Sequence, residues 1–156
     1  MSILIIFYSR TKTTKKVANL ISENLNCDSE EILDTKNRMG FFGYLKSAKD
    51  SIRKKLTILE KTVKNPGSYD LIVIGTPIWA GNMSTPIRTY IVENKEMFKK
   101  VAFFCTEGGS GGKKCFEKMA KFCDKDPVAT LEINSREIKK ETYLEKIKEF
   151  TNELKK

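Results

Sequence analysis

The sequence predicts a doubly wound α/β fold, a three-layer sandwich with a parallel sheet between two layers of helices, and three observations carry that prediction. Five short apolar segments alternate with five segments whose apolar residues recur at helical spacing. One strand segment, Leu71-Ile72-Val73-Ile74, is apolar without alternation, as a strand buried on both faces of a parallel sheet should be. The first strand runs directly into a hydroxyl-rich turn that opens a helix.

Ile3-Leu4-Ile5-Ile6-Phe7-Tyr8 reads as strand 1. Val17, Ala18, Leu20, Ile21 and Leu25 then mark a helix that ends near Asn26. A short strand is expected near Glu30 to Leu33. Leu45, Ala48, Ile52 and Leu56 give the next helix its stripe, after a loop containing Gly40-Phe41-Phe42-Gly43. Asn65-Pro66-Gly67 is a stop before strand 3. The following helix is expected over Ile87 to Glu93, after Pro86. Val101 to Cys105 reads as strand 4, with a Gly-rich loop and a helix from about Lys113 to Cys123 behind it. Val128 to Ile133 is the fifth strand, and Tyr143, Leu144, Ile147 and Phe150 are the core stripe of the closing helix. Repeats and low-complexity segments are absent.

A chain of 156 residues can bury a real core and is short for two domains, so residues 1–156 are expected to form one domain. The longest apolar runs are about strand length and Met1-Ser2 does not resemble a signal-peptide start, so a cytoplasmic protein with no membrane partner is expected. Cys27, Cys105, Cys115 and Cys123 lack zinc-type spacing, and the chain has no His, so no metal site is expected. The missing His also removes Ser-His and Cys-His nucleophiles, which leaves no catalytic residue to name and assigns any redox chemistry to a cofactor. Most of the cysteines read as small buried hydrophobes. Cys115 is the exception, a candidate reactive thiol early in a helix beside Lys113 and Lys114, where its pKa would fall.

Ligands of such a sheet sit beyond the carboxyl ends of its strands, where strand order reverses. Three loops should meet there. Ser9-Arg10-Thr11-Lys12-Thr13-Thr14 carries four hydroxyls in six residues, with Lys15 and Lys16 beside it. Hydroxyls and free N–H groups at a helix start are built for a phosphate. A capping role alone would need one hydroxyl. The second loop, Gly75 to Pro86, holds the only Trp. The third, Thr106-Glu107-Gly108-Gly109-Ser110-Gly111-Gly112, has four glycines that let backbone approach a flat ligand.

With one phosphate socket and a planar slot described, the chain resembles the flavodoxin family over essentially its whole length, in its short-chain form. The residues that carry the resemblance are Phe7-Tyr8-Ser9, Thr14 with Ala18, Gly75-Thr76-Pro77-Ile78-Trp79 and the Gly-rich turn after strand 4. The resemblance implies a five-stranded sheet of order 2-1-3-4-5 with helices on both faces, and noncovalent FMN. It puts the phosphate on Ser9, Thr11, Thr13 and Thr14, with Arg10 and Lys12 in the same turn. Backbone from Thr76 and Pro77 through Ala80 to Gly81 would line the isoalloxazine, and Thr106, Glu107, Gly108, Gly109 and Gly112 belong to the loop on its pyrimidine side. Ile78 would contribute backbone to that lining, and Trp79 would either cover part of the ring by stacking or anchor the loop. A flipping Ala80-Gly81 peptide would bond N5 of a reduced flavin.

Two departures from the family pattern stand out. Lys12 and Thr13 replace the usual Gly and Asn, and the net charge is +9 where electron-carrying flavodoxins are acidic. At ~4 Å from a phosphate and an effective dielectric near 20, a charge is worth ~4 kcal/mol; near ~10 Å it is under ~2 kcal/mol. Lys12 should therefore act on FMN affinity more than on the ring's potential.

Residues 35–64 hold nine Lys or Arg against two Asp or Glu. That segment reads as a solvated helix face, as a docking face for an acidic redox partner, or, through Arg53-Lys54-Lys55 and Phe41, Phe42 and Tyr44 among Lys46 and Lys49, as a nucleic-acid surface. Nucleic acid is the least supported, and no nucleic-acid partner is expected.

Rival phosphate sites fail on residues. Gly108 to Lys113 is one residue short of GxxxxGK, the first turn lacks the Gly of GxGxxG, and strands 1 and 3 end in Tyr8 and Gly75 rather than in acids. The reading is an FMN electron carrier, a monomer or weak dimer. The alternatives are a small FMN-dependent NAD(P)H or quinone oxidoreductase and a flavin-free interaction module on the same fold.

Overall fold

The computed structural model describes residues 1–35, 42, 43, 45, 46, 49 and 56–156. The helix expected from Leu45, Ala48, Ile52 and Leu56 falls partly outside these residues, as do Phe41, Tyr44 and Arg53-Lys54-Lys55. Strands β1 (Ile3–Phe7), β2 (Asp28–Glu31), β3 (Leu71–Trp79), β4 (Asn82–Met83), β5 (Lys100–Glu107) and β6 (Pro127–Asn134) alternate with helices α1 (Thr13–Leu25), α2 (Thr85–Asn94), α3 (Gly112–Cys123), α4 (Ser135–Lys140) and α5 (Tyr143–Leu154).

The parallel strands lie in the order β2-β1-β3-β5-β6, and β4 pairs antiparallel with the end of β3. With β4 set aside, this is the expected 2-1-3-4-5 arrangement. Successive residues of a strand face opposite sides, so each continuous apolar run feeds two cores. Leu4, Ile6, Ile72, Ile74, Val101 and Phe103 pack with α2 and α3, through residues such as Ile87, Tyr90 and Met119. Ile5, Phe7, Val73, Ala102 and Phe104 pack on the other face with Val17, Ala18 and Ile21 of α1 and Tyr143, Ile147 and Phe150 of α5. The doubly covered sheet is the physical reason these strands show no alternation.

Helix α1 begins at a residue whose own side chain makes no capping bond. Its N-cap is Lys12, held at φ 67 in the left-handed region. A missing cap costs ~1 kcal/mol, whereas burying one Val or Ile side chain contributes ~1.5–3 kcal/mol. Val17 and Ile21, both fully buried, hold the helix down. Asn26 ends it in the left-handed conformation, its N–H bonded to Glu23 O at 3.3 Å.

Several boundaries differ from expectation. β2 begins at Asp28, because register against β1 (Leu4 with Asp28, Phe7 with Glu31) and not apolar content sets an edge strand. Its acids are tied down from outside, Glu31 by Lys15 at 2.6 Å and Glu30 by the Lys64 N–H at 3.0 Å. β3 runs on to Trp79, since its pairing with β5 continues to Pro77 against Thr106. The second loop thus shrinks to a two-residue hairpin turn, Ala80-Gly81, plus β4 and Ser84. Helix α4 was not expected; Asn134 and Glu137 form a capping box that starts it. Leu144 is 41% exposed and leaves the stripe of α5, where Leu154 takes a core place instead.

Candidate functional site

The carboxyl ends of β1, β3 and β5 open into a cleft of about 310 Å³ lined by Arg10, Thr11, Thr13, Thr14, Pro77, Ile78, Trp79, Thr106, Glu107, Gly108 and Ser135. A larger groove of about 820 Å³ lies between α3 and the β6 edge, where Lys113, Lys121 and Lys125 alternate with Glu117 and Asp126. The smaller cleft is the candidate site. It gathers hydroxyls, a helix start and one aromatic wall, Trp79, from three strand ends, which the larger groove does not.

The first and third loops are joined at the floor. Thr14 and Thr106, 92 residues apart and both buried, share a hydrogen bond of 2.8 Å between their hydroxyls. Ser9 Oγ accepts the Lys15 N–H at 3.2 Å, which leaves the Ser9 proton available for another acceptor. Thr11 and Thr13 face the cleft directly. The first N–H groups of α1 have no partner four residues back. Arg10 lines the cleft while Lys12 stands exposed at the N-cap. The other two expected cations are engaged elsewhere, Lys15 with Glu31 and Lys16 over the Tyr143 ring at 5.6 Å.

Trp79 is 4% exposed and meets the edge of Tyr8 at 5.5 Å between ring centroids and an interplanar angle of 88°. The structure thus places it as an anchor of its loop that also walls the cleft. Thr76 points away; its Oγ1 accepts the Ser84 N–H at 2.9 Å and ties the two ends of the hairpin. Ala80 (φ 48) and Gly81 (φ 71) form the turn beyond Trp79 and do not line the cleft themselves. Both left-handed values are those of a type I′ hairpin, which favours Asn or Gly where this chain has Ala80.

In the third loop, Gly108 borders the cleft, and a Cβ on Gly108 or Gly109 would meet nothing within 4 Å. Gly112 lies off the cleft, where a Cβ would come within 2.3 Å of Glu132. Its N–H donates to Glu132 Oε1 at 3.1 Å. Burial, a hydrogen bond with the Glu132 carboxyl and that neighbour's charge together push the Glu107 carboxyl up to about 7. One Glu107 oxygen, Oε2, is buried without a partner. Ser135, which sequence reasoning missed, donates to the Glu107 carbonyl at 3.1 Å and completes the wall. Its signal was the capping box at Asn134.

Cys115 is not a reactive thiol. It is fully buried, and desolvation raises its pKa to about 12 despite Lys118 and Arg88 nearby. Lys113 and Lys114, the residues behind the opposite expectation, are exposed to solvent. Among the described residues, no group of three or more His, Cys, Asp or Glu could hold a metal ion, and no helix is long and apolar enough to cross a membrane.

The donor set fits a phosphate attached to a flat ring: hydroxyls and a helix start at one end, then Trp79 and Ile78, and backbone with room beside it at Gly108. Comparisons with known proteins agree with that geometry. A flavoprotein from Lactobacillus acidophilus, solved in complex with FMN, is 26% identical, with a TM-score of 0.75 over 89% of this chain and 97% of that one. The two-electron-reduced flavodoxin of Megasphaera elsdenii shares the fold at 15% identity, with a TM-score of 0.57 over 85% of each chain. A flavodoxin from the domain Archaea does so at 15% identity and a TM-score of 0.58, over the full length of both. No curated protein sequence matches the chain. The sequence profile of the flavodoxin family matches residues 2–148, and the chain belongs to that family.

Proposed function

We propose that the protein binds FMN in this cleft and carries electrons between larger redox enzymes. The observation that carries the reading is the convergence of a hydroxyl-lined helix start, an aromatic-walled strand end and a glycine-lined loop at the carboxyl ends of β1, β3 and β5. Bound FMN supplies the one-electron chemistry.

The chain's own residues bind and orient. Ser9, Thr11 and Thr13, with the first N–H groups of α1, would hold the phosphate, and Arg10 and Lys12 would offset its charge. Thr14 keeps the phosphate turn in register with the third loop through Thr106. Trp79, fixed against Tyr8, would give the ring a rigid wall and keep water from one side. Thr106, Glu107 and Gly108 would face the polar edge of the ring, where Glu107, raised to about 7, would carry a proton over part of the neutral range.

Partners follow from charge. A net charge of +9 draws an acidic redox protein and repels a basic one, and the attraction weakens with salt. A cytoplasmic setting agrees with the four free cysteines.

The test is a visible absorption spectrum of the purified protein, then reductive titration without oxygen. Reduction in two resolved one-electron steps is expected. Direct two-electron reduction, together with steady-state NADH or NADPH oxidation, would move the reading to a small oxidoreductase. A colourless protein that takes up no added FMN would overturn the cofactor assignment.

A further inference from the structure

Thr14 and Thr106 both line the cleft, yet they are 2% and 6% exposed, which sets them apart from the hydroxyls at its rim. Thr14 lies in the first turn of α1, at the phosphate end, and Thr106 lies at the end of β5, at the head of the glycine-lined loop. Their Oγ1 atoms are 2.8 Å apart, and either one can be the donor. Among the described residues, neither hydroxyl makes another side-chain hydrogen bond.

A pair of hydroxyls joined by one hydrogen bond has one proton to spare, and that proton stays on the acceptor. When Thr14 donates, the spare proton is on Thr106. When Thr106 donates, it is on Thr14, in the same turn as the unpartnered first N–H groups of α1. A phosphate dianion offers acceptors only, so it needs the second arrangement. Without a donor at position 106, the Thr14 hydroxyl is free to rotate and to spend its proton on nearby backbone instead. Burial sharpens the choice, because no water stands by to supply a missing donor. What the phosphate turn presents is therefore governed by a residue 92 positions away, in another loop.

We propose, building on the FMN reading above, that Thr106 is a positioning residue for the phosphate: it donates to Thr14, points the Thr14 proton into the cleft, and so favours a phosphorylated ligand over its unphosphorylated counterpart. With its own proton spent on Thr14, Thr106 presents lone pairs to the cleft, and the ligand group it meets there is a donor. Ser keeps this hydroxyl, whereas Val keeps the shape and loses both the proton and the lone pairs.

The experiment titrates the cofactor-free protein with inorganic phosphate, with riboflavin and with FMN. Wild type is compared with Thr106→Val, Thr106→Ser, Thr14→Val and the double variant, and Ala replaces Val in any variant that does not fold. Thr106→Val is expected to weaken inorganic phosphate about fivefold and to lower the ratio of FMN to riboflavin affinity by a similar factor. Thr106→Ser should restore most of both. In the Thr14→Val background, Thr106→Val should weaken phosphate no further, since its effect passes through Thr14.

Equal losses of FMN and riboflavin in Thr106→Val, with inorganic phosphate unchanged, would confine Thr106 to the ring; that overturns the proposal and leaves the FMN reading standing. Further weakening of phosphate by Thr106→Val in the Thr14→Val background also overturns it, as does a Thr106→Ser variant that behaves like Thr106→Val. A wild-type protein that takes up no FMN overturns both readings, and is recognised by its spectrum before any variant is made.

Discussion

Gly75, inside β3, and Gly108, at the cleft, show how differently two glycines are constrained. A Cβ on Gly75 would lie 2.0 Å from Phe104 Cζ, inside a ring that has nowhere to go. Gly75→Ala is expected to cost about 3 kcal/mol and to lower the melting temperature by roughly 6–12 °C. Gly108→Ala meets nothing in the protein, so calorimetry should find its stability unchanged, while FMN titration should find weaker binding because the methyl fills the cleft's border. Equal effects on stability and binding in the two variants would contradict this assignment. Glu107 carries the pH dependence. Its folded-state pKa, near 7, lies above the ordinary 4.5, so the folded protein holds that proton more tightly. The stability this contributes is complete below pH 4.5 and is lost as pH rises through 7. In the cofactor-free protein, Glu107→Gln should match wild type near pH 4.5 and exceed it at pH 8. A difference in melting temperature that stays flat across that range would show that the carboxyl is not held protonated.

At the level of elements, the start of α1 joins a strained residue to a functional turn. Lys12 is left-handed at the N-cap, a conformation that costs an L residue ~1–2 kcal/mol. Glycine would remove that strain and lose part of the gain through unfolded-chain entropy. Lys12→Gly is therefore expected to stabilise the protein by about 0.5–1 kcal/mol while weakening FMN binding through loss of the charge. Thermal unfolding and FMN titration should move in opposite directions; a loss of both would show that Lys12 packs. The turn was legible as a phosphate socket because hydroxyl density is a local property. That Lys15 and Lys16 turn toward Glu31 and Tyr143 was not, since both partners come from other elements. The hairpin of β3 and β4 was missed for a similar reason: Gly75-Thr76-Pro77 reads as loop, and pairing with β5 makes it strand. Helix α4 could have been found from Asn134 and Glu137, spaced three apart ahead of a helix.

For the whole molecule, the sheet divides the core into two layers, and three thiols lie in one of them. Cys105, Cys115 and Cys123 are buried with α2 and α3, and desolvation raises the pKa of each. Only Cys27 is half-exposed. A thiol reagent at pH 8 is expected to label one cysteine in the native protein and the other three at the rate of global unfolding. Fast labelling of Cys115 would contradict its burial. The alternation of the five parallel strands with α1, α2, α3 and α5, the doubly buried strands and the hydroxyl turn were determined by the sequence alone, because periodicity and turn chemistry act over a few residues. Tertiary structure decided the rest: which cysteine is inert, how Thr14 meets Thr106 across 92 residues, and how Glu107 finds Glu132. Each of these depends on two distant segments being brought to one strand end, and no local pattern encodes that distance.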